Sequence, residues 1–312
     1  MKILVTGGAG FIASHVVDAY IKEGYDVVVV DNLSSGNKSN LNSKAKFYNA
    51  DITDVKAMDD IFKKEKPTII NHHAAQIKVQ ASIRDPMNDA EINIKGSLNL
   101  LELCRKYQIK YFIYASSGGA GYGEPEKIPC PESHPIRPLS PYGITKHTVE
   151  HFLFYYHKTY GINYIVLKYA NVYGPRQDPD GEAGVISIFA GACLKGKQPK
   201  IFGDGKNTRD YVFVEDVAKA NVLAAKKLLS DEIFAGEYNI GTGKETDVNY
   251  LAKKIKDLTG SKIRPAYAEA VNEVHHIALD IKLAKKELGW QPLVDIDIGL
   301  KKTVDYFKYT MK

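Results

Sequence analysis

Thr6-Gly7-Gly8-Ala9-Gly10-Phe11-Ile12-Ala13 follows directly on the strand-like run Ile3-Leu4-Val5 and opens a helix-like stretch that reaches Lys22. Gly8, Gly10 and Ala13 fit the pattern G-x-G-x-x-[GA]. Its first positions allow a tight turn and a close backbone approach to a pyrophosphate, and its third lets helix pack on strand. The N-terminus of such a helix offers free N–H groups and positive dipole to a diphosphate. The next apolar run, Val27-Val28-Val29-Val30, ends in Asp31, at the spacing of about 20 residues where a carboxylate bonds the adenosine ribose hydroxyls. Asp31 would repel a 2′-phosphate, so the expected cofactor is NAD; nearby Lys38 keeps NADP as the alternative. Candidate contacts on this side are Gly7, Gly10, Phe11 and Ile12 in the first loop, Asp31, Asn32, Ser35 and Gly36 after the second strand, and Asp51 and Ile52 after the third.

Outward from this loop, short β-branched runs alternate with amphipathic stretches. Thr68-Ile69-Ile70, Tyr111-Phe112-Ile113-Tyr114 and Tyr164-Ile165-Val166-Leu167 read as strands, and Gly96 to Tyr107 and Pro141 to Thr159 as helices. Uninterrupted apolar runs between helices indicate a parallel sheet buried on both faces. The expected class is therefore α/β: a Rossmann-type doubly wound sheet over residues 1–170, with a smaller C-terminal α/β substrate-binding lobe over 171–312, from which 209–230 can return to the first domain. The texture changes at Asn171 to Gly184, rich in Gly, Pro and Asp.

The bulk numbers exclude more than they assign. At 312 residues, with 44% hydrophobic and 25% charged, the chain reads as an ordinary globular protein. The formal net charge of +5 arises from 42 basic and 37 acidic residues with no basic stripe, which argues against nucleic acid as a partner. Cys104, Cys130 and Cys193 have neither disulfide nor zinc spacing, and no metal site is expected. With no leader-like start and no apolar run of membrane length, the expected location is the cytoplasm.

Tyr142-Gly143-Ile144-Thr145-Lys146 sets a tyrosine and a lysine on one helix face. An ammonium beside a phenol favours the phenolate, which makes the tyrosine a usable base near neutral pH. Such spacing is common in a chain with 20 tyrosines, but Ser116-Ser117-Gly118-Gly119 adds a hydroxyl at the end of the strand Tyr111 to Tyr114, where open α/β sheets bind ligands. This Ser-Tyr-Lys set resembles that of the short-chain dehydrogenase/reductase superfamily, in its extended branch, and within it the nucleotide-sugar 4-epimerases acting on UDP-glucose and UDP-galactose. The match also runs through Ala74-Ala75-Gln76, Asn93-Ile94-Lys95-Gly96, Tyr122-Gly123-Glu124, Lys168 to Arg176, Gly203-Asp204-Gly205, Thr208 to Val212 and Asn239 to Gly243, covering nearly the whole chain.

The resemblance implies that Tyr142 takes the proton from the sugar O4 while a hydride leaves C4. Lys146 would lower the Tyr142 pKa and bind the nicotinamide ribose, and Ser117, in preference to Ser116, would share a hydrogen bond with O4. It implies further cofactor contacts at Ala74, Ala75, Gln76, Asn93 and Tyr169, and substrate contacts at Asn171, Val185, Phe202 and Arg209. NAD would stay bound, Ile277 would permit an N-acetyl group on the UDP-sugar, and a homodimer would pair the helices of Asn93 to Tyr107 and Pro141 to Tyr160. One departure concerns the diphosphate: relatives carry an Arg-Pro-Gly-Glu run where this chain has Ala270-Val271-Asn272-Glu273, leaving His275 and His276 as the nearby substitutes. Dehydration needs an acidic pair after the strand-end hydroxyl, and Gly118-Gly119-Ala120 lacks it. The alternatives are another NAD(P)-dependent nucleotide-sugar dehydratase, which that absence disfavours, a decarboxylase or a reductase, and then a catalytically inactive NAD-binding regulator.

Overall fold

The structure is a computed structural model that describes residues 1–179, 184–231, 233–270 and 274–311. In chain order its strands are β1 (Lys2–Thr6), β2 (Asp26–Asp31), β3 (Lys46–Asn49), β4 (Ile69–His72), β5 (Tyr111–Ser117), β6 (Asn163–Tyr169), β7 (Asn171–Tyr173), β8 (Lys200–Phe202), β9 (Thr208–Arg209), β10 (Tyr211–Phe213), β11 (Ala235–Ile240), β12 (Thr246–Asp247) and β13 (Ala266–Ala268). Among the described residues, seven of these form one sheet in the order β11-β6-β5-β4-β1-β2-β3, and every pairing in it is parallel. The class is α/β and doubly wound. After β3 the chain returns to lay β4 beside β1, so the strand order reverses between β1 and β4, the position where such sheets open a ligand crevice at their carboxyl ends.

Alternation along each strand sorts its side chains between two faces. Ile3, Val5, Val27, Val29, Ile113 and Leu167 pack with Val16, Val17 and Tyr20 of the helix Phe11–Lys22 and with Val217, Ala220 and Ala224 of the helix Val214–Ser230. Leu4, Val28, Val30, Ile70, Phe112 and Val166 pack on the other side with Phe62, Leu100, Leu101, Val149 and Leu153. With both faces covered, the uninterrupted Val27–Val30 run is the expected signature of a buried parallel strand.

A second core gathers Tyr173, Ile186, Phe189, Ile201, Phe213, Leu251, Ile255, Leu300 and Phe307. Short ladders β10-β7, β12-β9 and β13-β8 frame this smaller body. A single cut at residue 170 does not separate the two cores. The helix Val214–Ser230 and the strand β11 both return to the large sheet, the latter pairing with β6 along its length.

Candidate active site

The loop after β1 is shaped by close approach. Gly7 has φ 71° and faces Ala74 of the segment after β4, so that a Cβ on it would lie 2.8 Å from the Ala74 nitrogen. Gly8 leaves room for the Val29 side chain, where a Cβ would stand at 2.6 Å. Gly10 is the N-cap of the helix Phe11–Lys22 and has no side chain to bond its first N–H groups. Asp31 is buried and accepts from Ala9 N at 3.0 Å and Leu33 N at 2.8 Å, which ties the end of β2 to the glycine loop. A carboxylate has about four acceptor sites, so two backbone donors leave capacity for a pair of ribose hydroxyls. The narrow glycine turn, the uncapped helix start and this carboxylate together fit a dinucleotide.

Other sequence candidates divide between the crevice and its supports. Asn32 Nδ2 donates to Asp51 at 2.7 Å. Burial raises the Asp51 carboxyl, but hydrogen bonds from Thr53 and Asn32 outweigh it and hold it below its ordinary value. Ser35 is exposed and Gly36 lies against the Asp31 carboxylate. Phe11 and Ile12 are half-buried in the first turn of the helix. The Ile52 side chain is buried against Gly96, leaving its backbone carbonyl to accept from Asn99. Ala74, Ala75 and Gln76 line the segment after β4. Asn93 is buried and fully engaged: its Oδ1 accepts from Gln76 N at 2.8 Å, and its Nδ2 donates to the Gln76 carbonyl at 3.0 Å. The Tyr169 hydroxyl lies between His73 Nε2 and Asn221 Nδ2, at 3.0 and 2.8 Å.

The helix Pro141–Tyr160 carries Tyr142 and Lys146. Ser140 caps it by accepting from Gly143 N, Pro141 occupies the first turn, and Gly161 ends it with φ 68°. Gly143 permits this helix to press on the short turn Gly118–Gly121, and the Tyr142 phenol lies close enough to Ser117 for that hydroxyl to favour its phenolate form. Ser117 also caps that turn, accepting from Ala120 N at 3.2 Å. Ser116 is buried and donates to Glu150 Oε1 at 2.5 Å, so its hydroxyl is committed elsewhere. Between the two serines, Ser117 is the one that meets Tyr142.

Electrostatics differ from the sequence expectation in one respect. Burial pushes the Tyr142 phenol up to about 12, the Ser117 hydroxyl pulls against this, and the Asp89 carboxylate adds to the rise. Burial also brings the Lys146 ammonium down to about 8 against the pull of Asp89 and Glu150. The Lys146 Nζ donates to the Ala115 carbonyl at 2.8 Å and lies 4.8 Å from the Tyr114 ring centroid. It is thus directed at β5, and burial is the larger influence on the phenol.

In the smaller body, Asn171 is half-buried on β7, its N–H donating to the Asp210 carbonyl at 2.9 Å, and Val185 starts the helix Val185–Leu194. Phe202 is half-exposed at the end of β8. Arg209 on β9 donates to the Thr208 carbonyl at 2.8 Å. Ala270 packs near Gly203, while Val271, Asn272 and Glu273 lie outside the described residues. His276 pairs with Glu245 at 3.2 Å, and His275 N donates to the Glu124 carboxylate. Ile277 is buried with Tyr122, Cys130 and Leu279. Among the described residues no group of His, Cys, Asp and Glu could hold a metal ion, and no helix is long and apolar enough to cross a membrane.

Sequence reading missed Asp89, Gly143 and Glu150. A glycine directly after the tyrosine, a glutamate seven residues beyond it and a lone Asp carry no local signal, because what gives them meaning is a neighbour distant in sequence.

Residues 3–241 match the model of the NAD dependent epimerase/dehydratase family. The chain belongs to that family. Among relatives of this epimerase/dehydratase chain, the UDP-glucose 4-epimerase of Mycolicibacterium smegmatis is 41% identical over 314 residues, 99% of each chain. The crystal structure of UDP-glucose 4-epimerase from Thermotoga maritima with UDP-glucose is similar at a TM-score of 0.95 and 49% identity, covering 100% of both chains. That of Thermus thermophilus UDP-glucose 4-epimerase in complex with NAD is similar at 0.92 and 40%, covering 99% of this chain and 100% of that one.

Proposed function

We propose that this family member is a cytoplasmic, homodimeric enzyme that interconverts UDP-glucose and UDP-galactose at C4, with N-acetylated UDP-hexoses as further substrates and NAD retained throughout. The observation that carries the reading is the placement of the Tyr142 phenol against Ser117 at the carboxyl end of β5, in the same parallel sheet whose β1 ends in the glycine loop. Bound NAD supplies the hydride acceptor and donor for the sugar carbon. Tyr142 Oη takes the proton of the 4-hydroxyl and returns it to O4 once the 4-keto sugar has turned. Ser117 Oγ holds O4 in place by hydrogen bonding. The buried Lys146 ammonium contributes positive charge one helical turn away and binds the nicotinamide ribose.

Asp31 and the Gly7–Ile12 loop, with Asn32, Ser35, Gly36, Asp51 and Ile52, hold the adenosine and diphosphate half of the cofactor. Ala74, Ala75, Gln76, Asn93 and Tyr169 hold or brace the other half. Asn171, Val185, Phe202 and Arg209 take the UDP moiety, the guanidinium through charge-assisted bonds to phosphate. The large sheet, including the helix Val214–Ser230 and β11, is the cofactor body, and the smaller body binds the nucleotide sugar. Exposed Ile144, Phe154, Tyr155 and Tyr160 on the helix Pro141–Tyr160 support pairing of two copies through that helix, which sedimentation equilibrium would read as a dimer mass.

The deciding assay is incubation of the purified protein with UDP-glucose, UDP-galactose and their N-acetyl forms, following the 4-epimers. Conversion without consumption of external NAD supports the epimerase. Failure with all four, or stoichiometric use of NADH or NADPH, would replace it with a different nucleotide-sugar reaction.

A further inference from the structure

Asp89 has no exposed surface, and nothing in the sequence marks it. It sits on the short helix Pro86–Ala90 and accepts from three side chains on three elements. Gln76 Nε2 reaches its Oδ1 at 2.6 Å from the segment after β4, and Asn93 Nδ2 reaches the same oxygen at 3.2 Å from the turn Glu91–Lys95. Thr145 Oγ1 donates to its Oδ2 at 2.6 Å from the catalytic helix, between Tyr142 and Lys146. Thr145 also accepts from Asn93 Nδ2 at 3.2 Å, which closes the cluster.

All three donors are neutral, so contact leaves the charge of the carboxylate uncancelled, and in a low-dielectric interior that charge reaches further than it would in water. We propose that Asp89 is a positioning residue that fastens the cofactor-side segment Ala74–Gln76 to the helix bearing Tyr142 and Lys146 and serves as the counter-charge of that pair. The proposal rests on the reading of Tyr142 as the acid–base.

The sign of the electrostatic part is set by the surroundings. Asp89 raises the affinity of both Tyr142 and Lys146 for their protons. The other charged or titratable groups facing the pair are Glu150 and His147 on the same helix, Lys168 from β6, Tyr114 from β5, and His72 and His73 from β4. Glu150 shares its oxygens among Ser116, His147 and Lys168, two of which are basic, whereas Asp89 has no basic contact in its cluster. Removing the Asp89 charge lowers the proton affinity of Tyr142 and of Lys146 together.

The test compares Asp89→Asn, which keeps the shape, with Thr145→Val, which keeps the charge and removes the tie to the helix. In NAD-loaded enzyme, Asp89→Asn is expected to slide both limbs of the pH–kcat profile to lower pH by about half a unit or more, a displacement that damage to packing alone would not produce. The ultraviolet phenolate difference spectrum against Tyr142→Phe should move the same way. Thr145→Val is expected to leave the limbs in place and to weaken NAD binding to nucleotide-free protein about threefold or more by calorimetry. Unmoved limbs and an unmoved phenolate titration in Asp89→Asn would overturn the counter-charge. NAD affinity in Thr145→Val equal to that of the parent would overturn the fastening, and this result is read even if Asp89→Asn fails to fold by circular dichroism. If Tyr142→Phe still converts sugar, the acid–base reading is what fails, and the phenolate titration still decides Asp89.

Discussion

Gly143 stands so close to Ala120 that a Cβ on it would lie 2.4 Å from the Ala120 carbonyl oxygen. This contact sets the distance between the helix Pro141–Tyr160 and the turn that Ser117 caps. Gly143→Ala must push the two apart by several tenths of an ångström, and a displacement of that order between acid–base group and hydroxyl costs about ten- to a hundredfold in rate. The expected outcome is a fall in kcat of that size, with KM for UDP-galactose changed much less, in steady-state assays.

Tyr142→Phe removes the proposed proton acceptor and leaves the ring in place. Loss of a general base reduces kcat by about a hundred- to ten-thousandfold. The sign of the pH dependence follows from the raised phenol, held up to about 12 by burial in the structure: protonated Tyr142 cannot accept, so activity rises with pH on the acid side. That rise should be absent from whatever residual rate Tyr142→Phe retains.

Ser116 and Ser117 should separate cleanly. Ser117→Ala is expected to lower kcat by about tenfold or more with little change in thermal midpoint, since it removes the hydroxyl beside Tyr142 and one weak cap. Ser116→Ala withdraws a donor from buried Glu150 and should destabilise the fold by about 1–3 kcal/mol with a smaller effect on kcat. Denaturant titration beside a rate assay distinguishes them.

Asp31→Ala strands the Ala9 N–H and deletes the proposed ribose acceptor. A hydrogen bond to a charged group contributes about 1.5–3 kcal/mol, so the NAD dissociation constant should rise by about ten- to a hundredfold in calorimetry. An unchanged constant would remove Asp31 from the cofactor site.

Glu65, buried below the sheet, gives a stability prediction away from the site. Burial raises its carboxyl, but hydrogen bonds from Lys46, Tyr48 and Lys2 prevail and bring it from 4.5 to about 2. The folded value lies below the unfolded one, so the stabilisation is fully present above about 4.5 and is lost as pH falls toward 2. Glu65→Gln should therefore cost about 3 kcal/mol at pH 7, a difference that shrinks in urea titrations near pH 3.

The glycine turn after β1 and its tie to Asp31 were legible because their signals are local: glycines between a strand and a helix, and a carboxylate at the end of the next strand, require only short-range geometry. Tyr142 and Lys146 were likewise readable from helical spacing. What the spacing did not carry was direction, since Lys146 Nζ is drawn to the Ala115 carbonyl of β5. Asp89 was silent because its three donors come from positions up to 56 residues away. The return of β11 was silent for the same reason: the sequence Ala235–Ile240 contains nothing that names β6 as its neighbour.

The return of β11 to the outer edge of β6 has a practical consequence for anyone wishing to recombine this protein with its relatives. A fragment ending at residue 170 would expose the hydrogen-bonding groups that six residues of β11 now pair, on a strand whose seven residues are all buried. Such an open, apolar edge seeks another strand and favours aggregation. Exchange of the smaller body by swapping a C-terminal half would therefore have to leave Val214–Ser230 and β11 with the large sheet, and replace only segments before and after them.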